Sequence, residues 1–247
     1  TAWVAIVFML IGSLPFVLLI QALRGEPLAL WRDPQVRAFF GFVVLVSLAV
    51  TVYLGLQHRV PFGDALRMSA FNMVSVVTGT GYAFGDYTTW GAPIIVLVLL
   101  LKFVGGCTGS TTGGIKIFRF LVFFGTVRAH LRRMVRPNRV VPELYGNTRL
   151  TQELSFSVLA FLVVYMGTVG VITLALAAFD LDLLTALSAA ATSVGNVGPG
   201  IGPIIGPAGN FSSLPDGAKW ILSFAMLMGR LELFTVIVLL DPDFWSR

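Results

Sequence analysis

The chain has 247 residues, of which 56% are hydrophobic and only 12% charged, and its mean hydropathy is +0.87. Soluble domains have about 45–50% apolar and about 25% charged residues, so this composition excludes an ordinary soluble protein and indicates a membrane protein. The single cysteine, Cys107, excludes an internal disulfide and a multi-cysteine zinc site. The net charge of +5 does not indicate a nucleic acid partner, because the basic residues cluster between apolar segments.

Long apolar runs divide the chain into candidate membrane spans, each of which needs about 20 residues. The runs cover residues 1–23, 38–57, 92–127, 152–179 and 217–240. The first run lacks the basic leader and cleavage site of a signal peptide. We therefore interpret residues 1–23 as the end of a transmembrane helix in a longer protein.

Two shorter apolar stretches, 62–77 and 180–194, are each followed by a glycine-rich loop. They are too short to span, so we expect re-entrant helices. Three pairs of matching residues are separated by 117 positions, namely Phe62 and Phe179, Val77 and Val194, and Gly81 and Gly198. The order span, short helix, glycine loop, span therefore occurs twice, as in many transport proteins built from repeats.

The glycine loops place non-helical backbone at membrane depth, where it must line water, protein or an ion path. Glycine permits positive φ, which lets carbonyl oxygens turn toward one axis and replace the hydration shell of a cation. Parts of "GTGYA" (79–83) and "NVGPG" (196–200) match the TVGYG filter of potassium channels. We predict ion-binding carbonyls at Thr80, Gly81, Val197 and Gly198, with Thr78, Gly79 and Asn196 as further candidates. The alternative is a pair of turns that only join helices.

The stretch "VGGCTGSTTGGIK" (104–116) interrupts the run from 92 to 127 with five glycines. A nucleotide-binding loop requires G-x-x-x-x-G-K-[ST], but Ile115 follows Gly114 where the lysine belongs. Each glycine weakens a helix by up to about 1 kcal/mol relative to alanine. We predict that residues 105–114 are non-helical and lie beneath the filter; a kinked but continuous helix is the alternative.

The segments "GNVGPGIG", "GGCTGSTTGGIK" and "MGRLELFTVIVLL" resemble the Trk/Ktr/HKT superfamily of potassium and sodium transporters, and most closely its TrkH subunits, over essentially the whole chain. The resemblance implies four pore repeats around one axis. Residues 1–37 are then the end of the second repeat plus a cytoplasmic loop, residues 38–150 the third repeat with its gating loop at 104–114, and residues 151–247 the fourth. It also implies that the first two repeats belong to the same protein, that this protein forms a homodimer, and that a cytosolic nucleotide-binding subunit regulates it.

Arg230 lies within the last apolar run, where a charge costs roughly 3 kcal/mol unless it faces water or a partner. A positive charge below the filter repels potassium and can donate hydrogen bonds to carbonyls of the 105–114 loop, and the family resemblance implies a gate there. An ion pair with Glu232 that serves only packing is the alternative. Lys116 either belongs to the gate or extends to the cytoplasmic interface. The predicted gate residues are Gly105, Gly106, Gly109, Gly113, Gly114, Lys116 and Arg230.

Basic residues are distributed unequally between the two sides, with ten in the loops around 24–37 and 128–149 and at the C-terminus, against three at Arg59, Arg67 and Lys219. The basic side is cytoplasmic. We therefore expect an all-α polytopic protein of the bacterial inner membrane with re-entrant pore helices, a potassium-channel-like pore and a cytoplasmic C-terminus. We expect the basic loop at 128–149 to contact anionic membrane lipids.

We expect potassium transport, no enzymatic activity and no cofactor, with K+ as the transported ion. Two alternatives remain. A proton- or sodium-coupled secondary transporter would normally carry intramembrane acids, of which Glu232 is the sole candidate. A membrane-embedded lipid-phosphate enzyme would need acidic metal ligands near the glycine loop.

Overall fold

The chain folds into α-helices that follow the apolar segments, in a computed structural model that describes residues 1–136, 144–146, 148–231, 233–239 and 242–245. The helices are α1 (Ala2–Gly12), α2 (Phe16–Leu23), α3 (Leu28–Arg32), α4 (Pro34–Gln57), α5 (Phe62–Val77), α6 (Ala92–Leu101), α7 (Ile117–Val135), α8 (Gln152–Ala177), α9 (Leu183–Gly195), α10 (Asp216–Arg230), α11 (Leu233–Leu239) and α12 (Pro242–Trp245). Two single-turn 3₁₀ helices cover Tyr87–Trp90 and Phe211–Ser213. The predicted helical membrane fold is confirmed, apart from a small antiparallel hairpin of β1 (Leu144–Tyr145) and β2 (Thr148–Arg149) between α7 and α8.

Helices α4 and α8 are the two described helices that are individually long and apolar enough to cross a membrane. Each begins at a side chain that caps its free backbone N–H groups. The Asp33 carboxylate accepts hydrogen bonds from the backbone N–H groups of Gln35 and Val36 at 2.7 and 3.3 Å. The Thr151 hydroxyl accepts one from Leu154 at 3.3 Å. These caps fix where both spans start.

The prediction of one continuous helix over residues 1–23 is wrong. Helices α1 and α2 meet at an angle of 107°. Pro15 lies at the junction, and it has no backbone N–H and its ring clashes with the preceding turn of a helix. The break leaves carbonyl groups near Ser13 available to another segment of the chain.

The apolar run at residues 217–240 contains two described helices, since α10 ends at Arg230 and α11 begins at Leu233. Gly229, a poor helix former, precedes the break. Arg230 is therefore the last residue of α10 rather than a mid-helix residue, and a cation is favoured at the negative end of the helix dipole. Glu232, the alternative ion-pair partner of Arg230, lies outside the described residues.

Helices α5 and α9 are the expected short helices, and α5 packs on α4 as α9 packs on α8. Backbone hydrogen bonds just after these two helices also recur with the 117-residue spacing. The backbone N–H of Thr80 donates to the carbonyl of Ser75 at 3.0 Å, and the N–H of Val197 donates to that of Thr192 at 2.9 Å. The two loops thus leave their helices in the same way. The division of the chain into repeats at residues 37 and 150 stays a prediction.

Two hydrophobic cores hold these units together, one formed mostly by α1, α4, α5 and α6, the other by α8, α9 and α10. Each core also buries loop residues that adjoin helices of the other core. Val197 and Ile201, which follow α9, are buried in the first core, whereas Ile115, which precedes α7, is buried in the second. The loops that carry the candidate site are therefore anchored in both cores.

Candidate functional site

The two glycine loops that follow α5 and α9 meet at their predicted filter residues. A β-carbon added at Gly81 would overlap the carbonyl oxygen of Val197 and lie 3.1 Å from the Pro199 ring. One added at Gly79 would lie 3.4 Å from the Asn196 carbonyl oxygen. The structure thus brings together the two sets of candidate carbonyls, which are 117 residues apart in sequence.

The two loops share a backbone pattern in which alternate residues have positive φ. These residues are Gly79 (65°), Gly81 (77°), Asn196 (53°) and Gly198 (117°). The residues between them, Thr80 and Val197, are not in this region. Alternation of this kind lets successive carbonyl oxygens face the same side of the chain, as a carbonyl-lined ion site requires. Ion binding by these oxygens stays a prediction.

Each short helix also holds the far end of its own loop through a polar side chain. The Asn72 amide accepts from the N–H of Phe84 at 2.9 Å and donates to the carbonyl of Phe84 at 3.0 Å. The Ser188 hydroxyl accepts from the N–H of Ile201 at 3.0 Å and donates to the carbonyl of Ile201 at 3.4 Å. Phe84 and Ile201 are 117 residues apart, so in both repeats a side chain of the short helix clamps the same loop position. Sequence analysis missed this clamp, because Asn72 and Ser188 differ in residue type and are 116 rather than 117 residues apart.

The segment between α6 and α7 is non-helical, which confirms the prediction for residues 105–114. A parallel bridge between Val104 and Ile115 closes its base. The Gly105 N–H donates to the carbonyl of Ile115 at 2.9 Å, and the Ile115 N–H donates to that of Phe103 at 2.9 Å. Gly105 and Gly113 lie so close that a β-carbon on Gly105 would overlap the carbonyl oxygen of Gly113. We call residues 105–114 the intramembrane loop.

The intramembrane loop fills the break between α1 and α2. The Cys107 N–H donates to the carbonyl of Ser13 at 3.0 Å, and the Phe16 N–H donates to that of Gly109 at 3.0 Å. The Thr111 hydroxyl donates to the Gly12 carbonyl at 2.9 Å. Irregular backbone in a membrane must find such partners within the protein. The two interruptions therefore satisfy one another's backbone groups.

The intramembrane loop also touches the two glycine loops that follow α5 and α9. We call these the first and second filter loops, after the predicted filter residues that they carry. A β-carbon on Gly113 would overlap the carbonyl oxygen of Gly195, and one on Gly79 would lie 3.8 Å from the Gly113 backbone nitrogen. Gly109 and Gly114 have positive φ of 79° and 68°. Each of these predicted glycines therefore either packs tightly against another backbone segment or forms a turn.

Two basic side chains hold the intramembrane loop in place. The Arg230 guanidinium donates from Nη1 to the Thr111 carbonyl oxygen at 2.5 Å, as predicted from the sequence. The Lys116 ammonium donates to the Thr112 carbonyl oxygen and, at 2.9 Å, to the Thr112 hydroxyl. Lys116 therefore contacts the loop, and its part in gating stays a prediction.

A cavity of about 270 Å³ lies beside the intramembrane loop. Its walls combine loop backbone with the cations Lys116, Arg119 and Arg230 and with the aromatic residues Phe161 and Tyr165. The Arg119 guanidinium lies over the Phe161 ring, 3.5 Å from its centre. The cavity is thus lined by basic and aromatic side chains next to the loop backbone.

Lys102 is a functional candidate that sequence analysis did not assign. It is fully buried, and its ammonium donates to the carbonyl oxygen of Pro199 in the second filter loop. The signal was a lone lysine in the apolar run "VLVLLLKFVGG" (96–106), since an ionisable residue within a membrane is a candidate for function by default. Its partner, 97 residues away, could not be read from the sequence.

Comparison with known proteins finds relatives that are named potassium uptake proteins. The TrkH family, described as "Cation transport protein", matches residues 1–246. The potassium uptake protein TrkI of Halomonas elongata is 50% identical over 245 residues, which are 99% of this chain and 50% of that protein. TrkH of Escherichia coli K12 is 36% identical over 98% of this chain and 50% of its own length.

A solved structure has the same fold. The crystal structure of the potassium transporter TrkH from Vibrio parahaemolyticus matches with a TM-score of 0.92 and 36% sequence identity. The match covers 99% of this chain and 52% of that one. The chain thus spans about half the length of the relatives it matches.

Proposed function

Because this chain belongs to the TrkH family of cation transport proteins, we propose that it supplies two filter loops and the gate of a transmembrane potassium pathway. The observation that carries the proposal is the contact between Gly81 and Val197, which joins two equivalent glycine loops at their predicted carbonyls. Potassium is the proposed ion because the relatives are named potassium uptake proteins.

The filter would act by replacing the hydration shell of the ion with backbone oxygens of Thr80, Gly81, Val197 and Gly198. The C-terminal ends of α5 and α9 lie directly before these loops. The C-terminus of a helix carries a partial negative charge, so both helices favour a cation at the place where the loops meet. Thr80 and Gly198 are exposed in this chain, and we propose that the first two repeats of the same protein complete the ring there.

The intramembrane loop would close the pathway below the filter. Its backbone occupies the space next to Gly195, and its tip is bonded to Arg230. Opening then requires that the Arg230 to Thr111 hydrogen bond breaks and that the loop moves away from the filter. The barrier to a cation in the closed arrangement is partly steric and partly the repulsion from nearby positive charges.

The membrane, the orientation and the assembly of the protein are also part of the proposed pathway. We propose a multi-pass protein of the bacterial inner membrane with a cytoplasmic C-terminus, supported by the excess of Lys and Arg in the loops on that side. We also propose a homodimer regulated by a cytosolic nucleotide-binding subunit, and contact of the basic α7 end with anionic lipids. The name "Trk system", carried by the relatives, supports an assembly of several components.

Rubidium uptake into proteoliposomes tests the proposal, with the natural protein that carries this chain. We expect uptake driven by a membrane potential, competition by potassium, and weak competition by sodium. A folded, reconstituted protein that carries no rubidium would contradict the proposed function.

A further inference from the structure

We propose that Lys102 is a positioning residue of the filter that sets its preference for potassium over sodium, an inference that rests on the proposed function. Its ammonium acts as a built-in cation behind the second filter loop. It draws the Pro199 carbonyl oxygen toward itself and so holds the peptide groups of Val197 and Gly198 in a single orientation.

The position of Lys102 makes this role specific. Lys102 follows the last turn of α6 and has no exposed surface. Its backbone carbonyl oxygen lies against Gly195, where an added β-carbon would be only 2.7 Å away. The side chain then reaches past the end of α9 to the carbonyl of Pro199. One residue therefore contacts both the end of α9 and the second filter loop at Pro199.

A second donor shares the Pro199 carbonyl. The Thr192 hydroxyl donates to this oxygen at 2.8 Å and accepts a hydrogen bond from the N–H of Gly198 at 3.1 Å. Thr192 and Lys102 together hold the peptide group between Val197 and Gly198 and the peptide group that follows Pro199. The carbonyl that follows the candidate ion-binding oxygens is thus committed to groups of the protein, and it is not available to an ion.

Among the described residues, the partner of the Lys102 ammonium is a backbone carbonyl oxygen rather than an acid. Within the described part of the chain, no carboxylate lies within 4.0 Å of its ammonium; the ion pairs seen there are Asp64 with Arg67 and Asp216 with Lys219. A buried charge needs strong hydrogen bonds from its surroundings. The ammonium therefore binds the carbonyl more firmly than a neutral donor would, which restrains the loop at Pro199.

This rigidity bears on selectivity. Selection of potassium over sodium depends on the number of coordinating carbonyls, on their field, and on how far they can close around a smaller ion. A filter loop that is free to relax can close around sodium, whereas one held from behind cannot. Loss of the ammonium is therefore expected to reduce discrimination more than it reduces the amount of folded protein.

The test compares Lys102→Met, Lys102→Arg and the matched control Lys219→Met in the natural protein that carries this chain. Lys219 is a partly exposed lysine on α10 that pairs with Asp216. The readout is the ratio of the potassium and sodium concentrations that half-inhibit rubidium uptake. We expect Lys102→Met to reduce the discrimination about tenfold, equivalent to about 1.4 kcal/mol. Lys102→Arg and Lys219→Met should remain within about twofold of the wild type.

Unchanged discrimination in Lys102→Met would overturn the role of Lys102 while leaving the proposed function intact. Absence of rubidium uptake in the wild type would instead overturn the proposed function. If Lys102→Met does not fold, Thr192→Val decides, since it removes the other donor to Pro199 without leaving a buried charge unpaired. A reduced discrimination in Thr192→Val supports the proposal, and an unchanged one contradicts it.

Discussion

Arg230 at the end of α10 donates a hydrogen bond of 2.5 Å to the carbonyl oxygen of Thr111 at the tip of the intramembrane loop. Thr111 in turn bonds through its own hydroxyl to Gly12, at the end of α1. The end of α10, the intramembrane loop and the end of α1 are therefore connected through Thr111.

Replacement of Arg230 by alanine should raise cation flux through the closed state. At about 6 Å and an effective dielectric near 20, the repulsion between a cation and the guanidinium is roughly 3 kcal/mol. This corresponds to on the order of a hundredfold in ion occupancy, because each 1.4 kcal/mol is about tenfold. Rubidium uptake without an activating ligand is the measurement. Arg230→Lys, which retains the charge, should stay nearer the wild type, and an unchanged or lower flux in a folded Arg230→Ala protein would favour the ion-pair alternative.

Replacement of Gly113 by alanine should also open the pathway. The new β-carbon overlaps the carbonyl oxygen of Gly195, so the intramembrane loop has to withdraw from the filter. We expect increased basal rubidium flux and a lower thermal stability of the purified protein. Gly167→Ala in α8 is the control, because nothing lies within 4 Å of its added methyl group. Basal flux equal to that of the control would show that the loop does not limit conduction.

Replacement of Gly81 by alanine should abolish selective transport. Gly81 has a positive φ of 77°, and the Val197 carbonyl oxygen occupies the space that a β-carbon would need. Alanine at this position therefore forces the two filter loops apart. We expect rubidium uptake to fall at least about tenfold, a barrier increase of ~1.4 kcal/mol or more. Gly63→Ala, in open space near the start of α5, is the matched control and should transport normally. Normal transport by Gly81→Ala would mean that the contact between the loops is dispensable.

Removal of the Asn72 clamp should destabilise the first filter loop. Asn72→Ala removes both hydrogen bonds to the Phe84 backbone, and each such bond contributes about 0.5–1.5 kcal/mol to stability. We expect a lower unfolding temperature and weaker rubidium uptake. Ser188→Ala should act in the same direction on the second loop, to a smaller extent because one of its bonds is 3.4 Å long. Equal stability of Asn72→Ala and wild type would show that water replaces the amide.

Local sequence signals were sufficient for the repeat and for the intramembrane loop. The 117-residue spacing placed Gly81 and Gly198 at equivalent positions, and glycine content marked residues 105–114 as non-helical, because both depend on backbone preferences of nearby residues. The hydrogen bond from Arg230 to this loop was one of two predicted arrangements, and the family resemblance favoured it because it implies a gate there.

Hydropathy gave the wrong result where a break is stabilised from elsewhere in the chain. Residues 1–23 are apolar throughout, but α1 and α2 separate at Pro15 because the intramembrane loop supplies partners for the freed backbone. Lys102 was missed for the same reason. Its role depends on the carbonyl of Pro199, and no periodicity or motif connects two residues 97 positions apart.

Anomalous diffraction from rubidium-soaked crystals of the natural protein that carries this chain tests the central claim most directly. The claim is that backbone oxygens of Thr80, Gly81, Val197 and Gly198 coordinate the transported ion where the two filter loops meet. We predict anomalous peaks on the axis between these loops, which weaken when rubidium is exchanged for sodium. Peaks elsewhere in the protein, with none between the loops, would contradict it.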